Sequence, residues 1–311
     1  MEFKHITVLK NEMIRGILTN PSGIYVDCTL GGGGHSLALA EHLQEDALLI
    51  GIDQDEAAVE AAKTAFAALH CRYQIIRSNF SDIQDVLKTM GIRRVSGFMF
   101  DLGVSSYQLD QGMRGFSYMH DGTLDMRMDQ RNPITAETIV NTYSEQRLSR
   151  IISEYGEERW ASRIAKFICD HRKLSRIKTT GELVSIIKAA IPAGARREGP
   201  HPAKRTFQAL RIEVNQELSR LEKAISDCID CLEGGGRIGV ISFQSLEDRI
   251  VKKTFRDLER DCICPPDMPI CTCGGNHKKI RVIGKAIKPS AKEIEINPRA
   301  RSAILRVAER V

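Results

Sequence analysis

The stretch Asp27-Cys-Thr-Leu-Gly-Gly-Gly-Gly-His-Ser36 gathers an acid, four consecutive glycines, an imidazole and a hydroxyl. Glycines reach positive φ and carry no Cβ, so a ligand can approach the backbone of Gly31 to Gly34 closely. A helical pattern that opens at Ser36 would add unpaired N–H groups facing an anion. A second acid, Asp53, follows at about 20 residues, where a carboxylate meets a ribose diol in dinucleotide-type cradles. A glycine turn without a ligand is the plain alternative, and the spacing of Asp53 argues against it. NAD and S-adenosylmethionine both present such a diol, and the turn does not choose between them. The glycines are no clean G-x-G-x-x-G, since Ser36 stands three positions after Gly33, which weakens the case for NAD.

Strands and helices must position these groups. Apolar runs predict strands over Ile24–Thr29, Leu48–Asp53, Tyr73–Ser78 and Val95–Asp101. Helices are expected from Asp55 to about Leu69 and from Ile83 to Met90. Such alternation predicts an α/β, doubly wound parallel sheet, whose ligands sit beyond the C-terminal strand ends. Asp53, Phe80 and Asp101 should therefore gather near the glycine turn. From about 110 to 205 no clear strand appears, and Trp160, Ile164, Phe167 and His171 keep helical spacing, as do Leu183, Ile187 and Ala190. Residues 1–109 and 206–311 are thus expected to form one Rossmann-like domain, and 110–205 a helical insertion. After it, Phe207, Leu210, Val214, Leu218, Leu221 and Ile225 predict one long helix. Arg237–Phe243 reads as a fifth strand and Ser245 as the cap of the next helix. Lys279–Ile283 and Ser302–Ala308 read as a closing pair of strands, a hairpin edge.

The chain has 311 residues, 42% hydrophobic and 27% charged, with net charge +5. This is ordinary for a soluble globular protein and permits a nucleic-acid partner without demanding one. Met1-Glu-Phe-Lys-His lacks the features of a signal peptide, and no apolar run is long enough to span a membrane. A cytoplasmic location is expected, with no membrane partner. The chain has nine cysteines and no export signal, and Cys28, Cys71 and Cys169, each within an apolar element, read as free thiols.

Asp101-Leu-Gly-Val-Ser-Ser106 follows the fourth strand directly and sets a carboxylate, small residues and a hydroxyl pair at the sheet mouth. Groups that accept hydrogens from an exocyclic base amine would make its delocalised nitrogen more nucleophilic. With an already activated sulfonium methyl donor, positioning supplies much of the acceleration. A helix cap with no further role is the commoner fate of such an acid.

Several long stretches carry a resemblance. They are Asp27–Ser36, Phe100-Asp-Leu-Gly-Val-Ser-Ser-Tyr-Gln-Leu-Asp110, Gly115-Phe-Ser-Tyr118 with Leu124-Asp-Met-Arg-Met-Asp129, Lys204–Leu218, Ile241–Lys252 and Asn297-Pro-Arg-Ala-Arg-Ser302. Together they resemble the bacterial 16S rRNA (cytosine-N4)-methyltransferase H family, also called MraW or RsmH, over nearly the whole chain. The resemblance implies a class I S-adenosylmethionine-dependent methyltransferase. Its implied substrate is the exocyclic N4 amine of a decoding-centre cytidine in 16S rRNA of the small ribosomal subunit. It implies that Gly33, Gly34 and His35 contact the methionine end of the cofactor and Asp53 its ribose. Phe80, Asp101 and Gln108 are implied to lie around the cofactor pocket. Asp101 is the expected catalytic residue. Gln244 stands where the family pattern leads one to expect histidine, and the Asp/Asn-Pro-Pro-aromatic motif of DNA amino methyltransferases is absent.

Two other readings stay open on the residues alone. An NAD-dependent dehydrogenase would need a His or Tyr–Lys pair after the fourth strand, which Asp101–Ser106 lacks. A non-catalytic RNA-binding assembly factor would keep the pocket without turnover. The oligomeric state is open, with a homodimer among the options.

Cations concentrate in His171–Lys178, from Arg196 and Arg197 to Arg205, and from Lys278 to Arg301. Singly such runs are solvated surface; on an insertion they suit phosphate contacts. Arg172, Lys173, Arg196 and Arg197 mark the insertion as the expected RNA-recognition domain. Phe116, Tyr118 or Tyr107 could stack on a flipped base, although core packing is the commoner role. Cys262, Cys264, Cys271 and Cys273, with His277, are candidate zinc ligands in a loop stiffened by Pro265, Pro266 and Pro269. Their C-x-C spacing is tighter than usual. A loop of reduced thiols is the alternative, and no metal is assigned.

Overall fold

Neighbouring residues along the first strand show how the sheet is built. In the computed structural model, residues 7–197, 199–265, 268 and 270–311 are described. The readings placed on Met1 to His5, Pro266 and Pro269 lie outside them. Strand β1 (Ile24–Asp27) buries both Tyr25 and Val26 completely. Tyr25 joins one core with Leu49, Met99, Ile241 and Leu305. Val26 joins another with Ile50, Phe98, Phe100, Ile238 and Val240. Successive side chains point to opposite faces, so a strand covered on both sides reads as a continuous apolar run.

The other strands are β2 (Leu48–Asp53), β3 (Arg72–Arg77), β4 (Val95–Asp101), β5 (Leu232–Ser242), β6 (Ile280–Ile287) and β7 (Ile304–Arg310). They form one seven-stranded sheet in the order β3-β2-β1-β4-β5-β7-β6. The first five are parallel, and β7 runs antiparallel to both β5 and β6. From β1 the chain winds outward to β2 and β3, then returns to place β4 and β5 on the other side. The order reverses between β1 and β4, the crevice where such sheets bind ligands. This is the doubly wound, mostly parallel sheet that the alternation of strands and helices predicts.

Helices α1 (Lys10–Ile17), α2 (Gly34–Ala40) and α3 (Glu56–Phe66) bury Met13, Leu39 and Phe66 in the core of Tyr25. Asp55 caps α3 by accepting the Ala57 N–H at 3.1 Å. Helix α4 (Ile83–Thr89) buries Leu87 in the core of Val26.

The chain divides into two compact units, one through Gly103 and again from Leu218, the other Val104–Glu217. The second holds α5 (Ser106–Asp110), α6 (Ala136–Thr142), α7 (Glu145–Gly156), α8 (Ala161–Arg172), α9 (Thr180–Ala190) and α10 (Lys204–Asn215). Its core contains Leu124, Ile139, Leu148, Ile164, Leu183 and Phe207. Thr135, Ser144 and Thr179 cap α6, α7 and α9 with their hydroxyls. Asn215 clamps the segment Leu124–Asp129: its Nδ2 donates to the Met126 carbonyl and its Oδ1 accepts from Met128 N, both at 2.8 Å. Met126 sits at φ +63° between them.

These boundaries differ from 109/110 and 205/206. Helix α10 belongs to the helical unit because Phe207, Leu210 and Val214 lie in that unit's core. The single long helix is also two. Gln216, at φ 54°, ends α10, and α11 (Leu221–Cys231) starts afresh with Leu221 and Ile225 in the sheet core. Both halves keep the same apolar spacing, so periodicity does not reveal the break.

Helix α12 (Ser245–Glu259) begins at Ser245, but its cap is Gln244. Glu247 Oε2 accepts from Phe243 N at 2.9 Å and Gln244 N at 3.2 Å, closing the helix start from inside. Between β6 and β7 stand α13 (Ala291–Ile296) and a short 3₁₀ turn at Pro298–Ser302, so the closing pair is no tight hairpin. No helix among the described residues is long and apolar enough to cross a membrane.

Candidate active site

At the end of β1, Asp27 is buried and ties the strand to α2. Its carboxylate accepts from Thr29 N at 3.1 Å and from Ser36 Oγ at 2.7 Å. Burial pushes its pKa up to about 6 despite those bonds. The turn between strand and helix is pinned by Leu30 N to the Ile52 carbonyl at 3.0 Å and Gly33 N to the Leu30 carbonyl at 2.7 Å.

Packing demands glycine here before any ligand does. Gly33 has φ +76°, and a Cβ on it would meet Phe66 Cε1 at 2.8 Å. A Cβ on Gly34 would lie 2.2 Å from Thr7 Oγ1. Gly32 is the open one, with nothing within 4 Å of where its Cβ would stand.

Asp53, at the end of β2, holds the turn from the other side. Its Oδ2 accepts from Gly31 N at 2.8 Å and its Oδ1 from Asp55 N at 2.9 Å. Burial pushes its pKa up to about 6, and those backbone bonds pull against the rise. The Gln54 N–H is a third backbone donor to this carboxylate, which still leaves part of its lone-pair capacity open.

Asp101 closes β4. Its backbone N–H donates to Thr29 Oγ1 at 2.6 Å, which locks the strand end to the glycine turn. Its Oδ2 lies 3.7 Å from His35 Nδ1, and its Oδ1 is buried with no hydrogen-bond partner. Burial pushes the Asp101 pKa up to about 7. His35 is buried, with Nε2 3.0 Å from the Val8 carbonyl. A carbonyl only accepts, so Nε2 carries the proton and Nδ1 turns a lone pair toward Asp101. Burial lowers the His35 pKa, so the two form a neutral-imidazole contact and no full ion pair at neutral pH.

Phe80 follows β3 and meets Phe100, the residue before Asp101, edge to face at 5.7 Å between ring centroids. Beside it Asn79 Nδ2 donates to Gln54 Oε1 at 2.7 Å, linking the loops after β2 and β3. The structure thus brings together Gly31 with Asp53, His35 with Asp101, and Phe80 with the end of β4. Thr29 and Asp27 are the residues that the sequence reading left without a role. An acid and a hydroxyl flanking the strand end just before the glycines were the available signal.

Gln108 belongs to the helical unit, where its Oε1 accepts from Ser105 N at 3.0 Å and the Ser105 hydroxyl accepts from Gln108 N at 3.2 Å. The hydroxyl pair of Ser105 and Ser106 is therefore partly a helix cap; the Ser106 side chain lies outside the described residues. Phe116 is core, Tyr118 stacks on His201 at 4.8 Å, and Tyr107 is exposed. Among the cations, Arg172 donates to the Val140 carbonyl at 2.8 Å and Lys173 pairs with Asp170 at 2.9 Å. Arg196 and Arg197 are exposed. In the C-terminal run, Lys279 pairs with Asp230 and Arg281 with Glu309.

The acceptor set around the turn suits S-adenosylmethionine. Asp27, Asp53 and Asp101 would repel a pyrophosphate. The unpartnered Oδ1 of Asp101 and the remaining lone pairs of Asp53 can take hydroxyl or ammonium hydrogens, and Gly32 leaves open space beside them.

The model of the MraW methylase family matches residues 2–311. Ribosomal RNA small subunit methyltransferase H of Clostridioides difficile is 52% identical over all of this chain and all of its own length. The protein of the same name from Brevibacillus brevis is 52% identical over 100% of this chain and 99% of its own. That from Symbiobacterium thermophilum is 51% identical over 98% and 96%.

Proposed function

The chain belongs to the MraW methylase family, and from that premise we propose that it methylates the exocyclic N4 amine of a cytidine in small-subunit ribosomal RNA. The observation that carries the reading is the Asp101 carboxyl. It is a partly exposed acceptor whose Oδ1 is buried and unpartnered, at the C-terminal end of β4 beside the switch point of the sheet. The rRNA substrate follows the names of relatives about half identical over their full length.

When bound, S-adenosylmethionine supplies a methyl group already activated by its sulfonium. In this reading Asp53 accepts the ribose hydroxyls through its free lone pairs while its bonds to Gly31 and Asp55 keep it fixed. The turn from Gly31 to Gly34, with His35, borders the methionine end. Phe80, backed by the buried Phe100, forms an apolar wall that excludes water beside the adenine. Asp101 accepts hydrogens from the target amine and takes its proton as the N–C bond forms and the C–S bond breaks. A pKa of about 7 suits that task, because a base titrating near the working pH is both available and strong enough. Gln108 is carried as a cofactor neighbour by the family resemblance. The helical unit, with Arg196, Arg197 and Tyr107 exposed, is assigned to RNA recognition.

The test is incubation of the full chain with methyl-labelled S-adenosylmethionine and small subunits from cells lacking the enzyme, followed by mass spectrometry of the nucleosides. N4-methylated cytidine is the expected product. Cofactor binding without transfer to any subunit-derived RNA would favour a non-catalytic assembly factor.

A further inference from the structure

Among its described residues, the loop between α12 and β6 has no helix or strand of its own and adds nothing to the hydrophobic cores. Ile263, Met268 and Ile270 are exposed, at 63%, 42% and 75%. Long structureless loops within a domain are uncommon unless something staples or uses them. What this loop gathers instead is sulfur.

The Sγ atoms of Cys262, Cys264, Cys271 and Cys273 all lie within 4.8 Å of one another. Cys262 and Cys271 are 3.6 Å apart, Cys271 and Cys273 3.5 Å, and Cys273 and Cys262 3.7 Å. A tetrahedral zinc site with Zn–S bonds of about 2.3 Å has S···S edges of about 3.8 Å. The four sulfurs therefore stand close to the corners of a polyhedron that one zinc ion fills. The C-x-C spacing, tighter than in most structural sites, is met by pairing across the loop as well as along it. Gly274, Gly275 and Asn276 follow Cys273 at φ +78°, +70° and +65° and turn the chain back. That reversal lets both C-x-C arms face one point.

One local bond supports a thiolate. Thr272 N donates to Cys264 Sγ at 3.3 Å, the kind of outer bond that orients a metal ligand and stabilises its charge. His277 lies outside the four-sulfur cluster, and its Nε2 meets the Cys273 carbonyl at 3.2 Å.

We propose that Cys262, Cys264, Cys271 and Cys273 form a mononuclear structural zinc site that folds the loop between α12 and β6. Four protein sulfurs leave no open position, so the ion serves structure and not methyl transfer. Binding would replace the missing core of the loop, because a ligand set assembled only in the fold makes metal affinity a source of folding energy.

Full-length protein from zinc-supplemented medium, purified without chelator, should carry about one zinc per chain by elemental analysis. Cobalt exchanged into it should give the thiolate charge-transfer band and intense visible bands of a tetrahedral four-sulfur site. The variant Cys271→Ser/Cys273→Ser should hold less than about a tenth of the zinc while binding S-adenosylmethionine as the parent does. The cobalt spectrum of the parent keeps the test independent of whether that variant folds. A metal-free chain with reduced thiols that takes up no cobalt would overturn the proposal. So would the spectrum of an oxygen-ligated octahedral site, or full zinc in the double variant.

Discussion

His35 Nδ1 stands 3.7 Å from Asp101 Oδ2, with the proton of the imidazole committed on its far side to the Val8 carbonyl. The contact gives Asp101 a polar neighbour without a positive charge. Nothing there stabilises the carboxylate as an ion partner would, and burial leaves its pKa at about 7. This arrangement keeps the Asp101 carboxyl basic.

Asp101→Asn removes that acceptor. We expect kcat to fall by about 10²-fold or more. For the parent, the rate should rise with pH through about 7 and then level, because only the ionised carboxyl accepts a proton. Single-turnover rates across pH check this; a flat profile in the parent would remove Asp101 from the proton path.

The same pKa shifts predict how stability depends on pH. Asp27, Asp53 and Asp101 have folded-state values raised from 3.8 to about 6, about 6 and about 7. A raised carboxyl binds its proton more firmly in the folded chain. Its stabilising contribution is full below about pH 4 and is lost as pH rises through the folded value. The free protein should therefore lose stability between about pH 4 and 7 on account of these groups. Asp101→Asn should be more stable than the parent by about 1–2 kcal/mol at pH 8 and nearly equal at pH 4, read by denaturant titration. Equal stability at both pH values would refute the assignment of a strained carboxyl.

Asp53→Ala should weaken S-adenosylmethionine binding by about 1.5–3 kcal/mol, through lost charge-assisted bonds to the diol and a loosened Gly31. Calorimetric titration measures it. Unchanged affinity would leave Asp53 only its observed role of holding the turn.

How much of this was legible in the sequence differs between elements. The β-rich runs of β1, β2 and β4 were visible because strands covered on both faces read as unbroken apolar segments, although the first was expected to run to Thr29 and ends at Asp27. The break at Gln216 was not, because α10 and α11 share one spacing and the left-handed residue is no glycine. The bond from Thr29 to Asp101 joins residues far apart in the chain and has no local signature. Gly33 and Gly34 were read as room for a ligand, whereas Phe66 and Thr7 already require them bare. The run from His171 to Lys178 looked free, yet Arg172, Lys173 and Arg176 are each engaged within the helical unit. Charge counts do not show pairing.

Arg196 and Arg197 are accordingly the better probes of the RNA footprint. Reversing both should weaken binding to subunit RNA and reduce the slope of log affinity against log salt by up to about two, with cofactor affinity unchanged. An unaltered slope would shift the footprint to other cations, Lys278 through Arg301 first.

The central claim is methyl transfer to a cytidine amine with Asp101 as proton acceptor. The most direct measurement is nucleoside mass spectrometry of small-subunit RNA after incubation with labelled S-adenosylmethionine and either the parent or Asp101→Asn, with cofactor binding verified for both. The account predicts stoichiometric label in N4-methylated cytidine from the parent and a rate about 10²-fold lower or less from the variant. Label on another nucleoside, or equal rates from the two proteins, would contradict it.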